Sequence, residues 1–321
     1  MRPRTMPARR RGLLAAAVAA ATIAGCGGGD EPAGATATTT PAPATTAAAP
    51  ADEAQAADAG ALRRDRFDSA RAWKELSRQV ELGPRPAGSD ALRGLAERLR
   101  DELPRGRFER VPGHPGLRNV VGTVRGSQPA IVVAAHYDTK DLPGFVGAND
   151  GAAGTAVVME LAAALNRAPR PKDAREVRFV LFDGEEATDD SRPFEETGIR
   201  GSKAYAKRHD GELKSLILLD FVGAKGLQIQ RESLSDEGLW RRLRAAAARV
   251  GAESAFPGGV GQAITDDHVP FLERGVPAID LIQWPYDCWH QPCDDLTQVE
   301  ERSLDLTGET VYELIRTLRR K

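Results

Sequence analysis

The strongest constraint on what this chain can fold into is a series of short apolar runs. They do not alternate with polar residues, and each leads into acids or histidine. Residues 131–135 run into His136-Tyr137-Asp138, residues 177–182 into Asp183-Gly184-Glu185-Glu186, and residues 216–219 into Asp220. A strand apolar on both sides must be covered on both faces, which a parallel sheet between helices provides. The segments between these runs have helical spacing. Residues 69–80 place Ala70, Trp73, Leu76 and Val80 on one face, and Ser89 is a good N-cap for a second helix with Leu92, Leu95, Leu99 and Leu103 inward. The link between them, Gly83-Pro84-Arg85-Pro86-Ala87-Gly88, requires a rigid turn. Further strands are expected over 119–124 and 277–282, and further helices over 151–165, 201–208, 237–250 and 303–319. The expected fold is a single α/β domain, a three-layer sandwich with a mostly parallel, mixed central sheet flanked by helices on both sides.

The first 61 residues read differently. Arg2, Arg4, Arg9, Arg10 and Arg11 precede a short Ala/Leu/Val stretch over 12–24, which is shorter than the ~20 residues a spanning helix needs. The stretch ends in Ile23-Ala24-Gly25-Cys26, which resembles the lipobox of bacterial lipoproteins. That resemblance implies a signal peptide over 1–26, acylation of Cys26 and anchoring to the outer face of the cytoplasmic membrane. Residues 27–61 are rich in Gly, Ala, Thr and Pro and lack apolar periodicity, so they are expected to form a tether rather than a core. The folded domain is then expected over 62–321. With Lys+Arg 44 against Asp+Glu 46, the chain has no basic excess with which to hold a nucleic-acid backbone. No nucleic-acid partner is expected, a polytopic membrane protein is excluded, and the chain is expected to act as a monomer.

The polar residues collect at the strand ends, where open α/β sheets bind ligands. Together they supply histidines and several carboxylates to one rim, a nitrogen/oxygen donor set that suits zinc. His136-Tyr137-Asp138, Gly147-Ala148-Asn149-Asp150, Asp183-Gly184-Glu185-Glu186-Ala187, Leu219-Asp220, Asp266-Asp267-His268 and Trp289-His290 follow one another in this order. From about residue 83 to the C-terminus, the sequence resembles the superfamily of zinc aminopeptidases and animal-type glutaminyl cyclases.

Carried over residue by residue, the resemblance implies that Asp150, Glu186 and His290 bind zinc and that Glu185 is the general acid/base. In the aminopeptidases, Asp150 would bridge to a second zinc held by His136 and Asp220, and Glu185 would help water attack a peptide carbonyl. In the cyclases, with one zinc, the α-amine of an N-terminal Gln attacks its own γ-carboxamide and ammonia leaves. Glu185, Asp220 and Asp266 would then carry and orient the protons, with Trp289 as pocket wall. The segments around Glu185, Asp220, Asp266 and Trp289 look closer to the bacterial cyclase-like branch. Asn149-Asp150-Gly151-Ala152-Ala153-Gly154-Thr155 looks closer to the peptidases, and Asp280 departs from the His that animal cyclases place near the pocket. The implied substrates are peptide or protein N-termini.

Three cysteines are present, and after Cys26 only Cys288 and Cys293 remain, on either side of Trp289-His290-Gln291-Pro292. In an exported chain this pair is expected to form a disulfide, with thiolate ligation as the alternative. Asp138 is expected to orient His136, Asp267 and His268 to cap the helix leading to Phe271, and the acidic segment 189–196 to form a solvated loop. His114 and His209 are read as surface residues, and the aliphatic positions of 151–165 as core.

Overall fold

Capping and apolar spacing set the first helices. In the computed structural model, which describes residue 62 and residues 65–320, helix α1 spans Ser69–Glu81 and α2 spans Asp90–Glu102. The side chain of Asp68 accepts from the Arg71 amide and that of Ser89 from the Leu92 amide, each satisfying a free N–H of the first turn. The signal segment, Cys26 and the tether lie outside the described residues.

The strands follow as β1 (Arg107–Arg110), β2 (Arg118–Val124), β3 (Ser127–His136), β4 (Arg175–Phe182), β5 (Leu213–Leu219) and β6 (Ala278–Leu281). They form one sheet in the order β1-β2-β4-β3-β5-β6. β3 runs parallel to β4 and β5, and β5 parallel to β6, whereas β2 is antiparallel to both β1 and β4. The remaining helices are α3 (Gly154–Arg167), α4 (Phe194–Thr197), α5 (Arg200–Arg208), α6 (Glu237–Val250), α7 (Val269–Leu272) and α8 (Glu301–Leu318).

Residues of β3 show how both faces are filled. Ile131, Val133 and Ala135 join the larger core with α1, α2, α3, α6 and α8, while Val132 and Ala134 join a smaller core with Tyr205 of α5 and Phe271 of α7. At roughly 1.5–3 kcal/mol for each fully buried large aliphatic side chain, continuous runs of this kind dominate the driving force for the sheet. The aliphatic positions of α3 are core, as expected. Thick and thin helical layers thus enclose a mixed sheet whose parallel strands all end on the same side.

Three local readings are corrected. The helix expected from residue 151 begins at Gly154, because Asp150 (φ −85°, ψ 93°) and Gly151 (φ 94°) leave helical geometry. β1 was not anticipated; three of its four residues are charged, and only pairing with β2 makes it a strand. His209 is not a free surface residue. Its Nε2 lies 3.0 Å from Glu109 Oε2 and its Nδ1 3.0 Å from Glu212 Oε2. Burial works against the Glu109 charge, but hydrogen bonds from His209 and Arg208 outweigh it and lower its pKa to about 2.

Candidate metal centre

His136 is the last residue of β3, and Asp220 directly follows β5, its N–H donating to the Leu281 carbonyl at 3.1 Å. The sheet therefore brings an imidazole and a carboxylate to neighbouring strand ends. His136 Nε2 lies 3.2 Å from Asp150 Oδ1 and 3.3 Å from Asp220 Oδ1. On the other side of Asp150, His290 Nε2 lies 3.7 Å from Asp150 Oδ2 and 3.2 Å from Glu186 Oε2. The two oxygens of Asp150 are thus divided between two groups, His136/Asp150/Asp220 and Asp150/Glu186/His290. In each group the nearest donor atoms of the three residues lie within 4.8 Å of one another.

The turn presenting Asp150 depends on Gly151. A Cβ there would sit 2.9 Å from the Asp138 carbonyl oxygen and 3.1 Å from the His136 ring, on top of a positive φ that L side chains avoid. The Glu185-Glu186 turn is braced by Asp138, whose carboxylate accepts from the Glu185 and Glu186 amides at 3.2 and 3.3 Å. From the other side, Arg200 donates to the carbonyls of Gly184 and Glu186 at 3.0 and 2.9 Å. Asp138 also positions His136, whose Nδ1 faces the Asp138 carbonyl at 3.1 Å. A ring proton donated there would leave the Nε2 lone pair for a cation held with Asp150 and Asp220, the arrangement of a metal-binding histidine. Cys288 and Cys293 are joined by a disulfide, which closes the loop carrying His290.

These residues fit a divalent cation. Asp150 Oδ2 and Glu186 Oε1 are buried and accept no hydrogen bond. Leaving such atoms unmatched costs on the order of 1–3 kcal/mol each, more when they are charged. The electrostatics agree. Burial, reinforced by neighbouring Asp150, raises Glu186 to about 7, and burial with Asp266 nearby raises Asp220 to about 8. Burial opposes protonation of His136, yet hydrogen bonds with Asp138, Asp150 and Asp220 raise its pKa well above the usual histidine value. The cluster therefore carries more negative charge than its own donors can satisfy, and its nitrogen and carboxylate atoms are of the kind zinc takes.

Glu185 stands beside the cage, with Oε2 3.9 Å from His136 Nδ1. Burial pushes its carboxyl well above the ordinary range; His136 opposes this, while Glu186 and Asp266 add to it. Glu185, Glu186, Asp150, Asp220, Asp266, Trp289 and His290 all line one cavity of about 630 Å³. Trp289 is 46% exposed and stacks on His290, with ring centroids 4.5 Å apart, so it walls the mouth. Every residue expected at the site is thus brought to one place, although His136 lies sealed behind the cavity. Asp267 and His268, expected to cap α7, make no side-chain cap there and are fully buried. His268 instead faces Glu232 at 3.2 Å, and it groups with Asp266 and Asp280 beneath the cavity. The segment 189–196 reaches the rim through Asp190, Arg192 and Phe194.

Lys140, Phe221 and Trp284, which also line the cavity, and Asp294, which binds the Asp150 turn, escaped the sequence reading. For Trp284 a signal existed, an aromatic in the loop between a strand and the Trp289-His290 pair. For Asp294 there was none beyond its place next to Cys293.

A mixed α/β sheet with a carboxylate–imidazole cage at the ends of its parallel strands defines an exopeptidase-like enzyme fold. The model of Peptidase family M28 matches residues 119–315, and the chain belongs to that family. Among curated relatives, it is 29% identical to the glutaminyl-peptide cyclotransferase of Drosophila melanogaster, over 61% of this chain and 63% of the relative. It is 30% identical to aminopeptidase YwaD of Bacillus subtilis (strain 168), over 62% of this chain and 45% of the relative. The chain thus spans less than two thirds of the length of these relatives. A solved glutaminyl cyclase of Porphyromonas gingivalis superposes with a TM-score of 0.70 at 29% identity, covering 79% of this chain and 100% of that one.

Proposed function

We propose that this chain is a zinc-dependent enzyme acting on peptide N-termini, and that it converts N-terminal glutamine to pyroglutamate with release of ammonia. We further propose that Cys26 carries a lipid anchoring it outside the cytoplasmic membrane. The observation that carries the catalytic reading is the glutamate doublet at the inner end of the cavity. Glu186 faces His290 and Asp150, while Glu185, with its raised pKa, faces the space a substrate would enter. The similarity to glutaminyl cyclases in Drosophila melanogaster and Porphyromonas gingivalis supports the same reading.

Asp150, Glu186 and His290 would hold zinc, which supplies Lewis-acid polarisation of the amide carbonyl when bound. The chain's own groups do the rest. The cavity holds the glutamine side chain and its α-amine together, turning attack of the amine nitrogen on the γ-carbon into an intramolecular step. Glu185 takes a proton from the attacking amine and passes it to the departing –NH2, so that the new C–N bond replaces the old one and ammonia leaves. Asp220 and Asp266, which line the same cavity, hold the amine and orient it toward Glu185. Trp289, Trp284 and Phe221 limit the entry of water.

The division of the Asp150 oxygens favours a second reading, an aminopeptidase with a further cation at His136 and Asp220. Incubating the enzyme with Gln-initiated and Leu-initiated peptides separates the two. Loss of one NH3 from the Gln peptide alone supports cyclisation. A free amino acid from either peptide supports the peptidase and overturns the cyclase.

A further inference from the structure

Asp150 and His290 lie 140 residues apart in sequence, yet one buried side chain bonds into both of their loops. Asp294 is fully buried. Its Oδ1 accepts from the Asn149 amide at 2.9 Å and its Oδ2 from the Asp150 amide at 3.0 Å. Its backbone continues the pattern. The Asp294 carbonyl accepts from the Ala148 amide at 3.1 Å, and its N–H donates at 3.0 Å to Gln291, the residue after His290. Tyr286, at the start of the same loop, donates its hydroxyl to Asp294 Oδ1 at 2.7 Å.

The opposite side of the Asp150 turn is held by a charge of the other sign. Arg85, also fully buried, donates to the Val146 carbonyl at 2.6 Å and to the Gly147 carbonyl at 3.2 Å. Its own N–H donates to Thr139 Oγ1 at 3.0 Å and its carbonyl accepts from Thr139 N at 3.3 Å, joining it to the segment after His136. Burial lowers Arg85 to about 10, with Asp138, Asp150 and Asp294 opposing, so it stays charged at neutral pH. Backbone amides and carbonyls in so tight a turn need partners, and ionised partners make the stronger bonds.

We propose that Asp294 is a positioning residue that ties the Asp150 turn to the His290 loop, with Arg85 closing the turn from the other side. Two ligands from distant segments are thereby presented to a cation as one pre-set unit. The proposal rests on the reading above that Asp150, Glu186 and His290 hold zinc. Outer partners of metal ligands set affinity by ~10–100-fold. Asp294→Asn keeps one acceptor oxygen but sets an amide N–H2 against a backbone N–H. It is expected to weaken zinc binding by ~10–100-fold, and Tyr286→Phe, which keeps the carboxylate, by only a few-fold.

The test is zinc affinity by chelator competition on the full chain. It is accompanied by melting of the stripped protein and the visible absorption of the Co2+-substituted protein. Weakened zinc binding together with a shifted Co2+ band in Asp294→Asn supports the proposal, because loss of stability alone would lower the melting temperature and leave the band in place. If Asp294→Asn fails to fold, Tyr286→Phe carries the test, a few-fold weakening supporting the proposal and wild-type affinity overturning it. Wild-type affinity and an unshifted band in a folded Asp294→Asn overturn the proposal and leave the metal reading intact. A wild-type protein that takes up no zinc overturns the metal reading itself.

Discussion

The two halves of the cage are built on different foundations. His136 and Asp220 are extensions of β3 and β5, and their positions are inherited from a ladder of backbone hydrogen bonds inside a doubly covered sheet. Glu186 and His290 come from loops. His290 has a left-handed backbone (φ 53°) and a side chain 21% exposed, against 3% for His136. A ligand at a strand end needs little beyond the sheet, whereas a ligand on a loop needs its own supports, because loops are the low-stability end of a fold. For Glu186 these are Asp138 and Arg200, and for His290 the disulfide and Asp294. In the rigid half only Asp220 reaches the cavity, His136 being buried behind it, whereas both loop ligands line it, so the part most open to a ligand has had to be stiffened separately.

Glu185 stands where the halves meet, and the largest effect is expected there. Glu185→Gln should lower kcat by ~10²–10⁴-fold while zinc content stays near that of the wild type. Full turnover in that variant, with metal measured in parallel, would remove Glu185 from its role. Next in size is the contrast between the halves themselves. If a single zinc sits on the loop half, His290→Ala should cost more zinc affinity than the ~10–100-fold typical of an outer partner, and His136→Ala less. Equal losses, with two ions per chain in metal analysis, would make the halves one two-ion centre and favour the aminopeptidase.

A smaller effect is expected from the brace. Cys288→Ser/Cys293→Ser should cost about 2 kcal/mol of stability from the freed loop and weaken zinc binding. Unchanged zinc affinity would show that the disulfide does not support His290.

The mildest effect is a pH dependence. Glu186 at about 7 and Asp220 at about 8 lie above the ordinary carboxylate values near ~4 that they regain on unfolding. The folded, stripped protein therefore binds more protons than the unfolded chain, and its stability falls as pH rises from about 5 to 8. The raised His136 acts in the same direction. The melting temperature of chelated protein should decline across this window, and saturating zinc should flatten the decline. Asp220→Asn should reduce the slope across the whole window, and Glu186→Gln only its part below about 7. A stripped protein with no slope would contradict the charge crowding seen in the cage.

The sheet half of this contrast was legible in the sequence and the braces were not. Unbroken apolar runs ending in His136 and Asp220 report burial on two faces, and that pattern is local to each strand. β1 was invisible because Arg107, Glu109 and Arg110 carry no apolar signal, and only the edge of β2 and the partners Arg208 and His209 make the burial of Glu109 tolerable. The start of α3 was misplaced by three residues because Asp150 and Gly151 bend out of the helix to face His136, a requirement that arises only once β3 is beside them.

By itself, then, the sequence determined the layered α/β architecture, because apolar patterning is a property of contiguous chain, and its short motifs singled out, through a family resemblance, the residues that meet in the cage. Tertiary structure alone decided that Asp150 divides its oxygens between two groups, that His268 is buried rather than capping, and that Asp294 joins two loops. Those facts depend on distances between segments that are separate in sequence, by as much as 144 residues for Asp150 and Asp294, and such distances are fixed only when the sheet and its two helical layers pack.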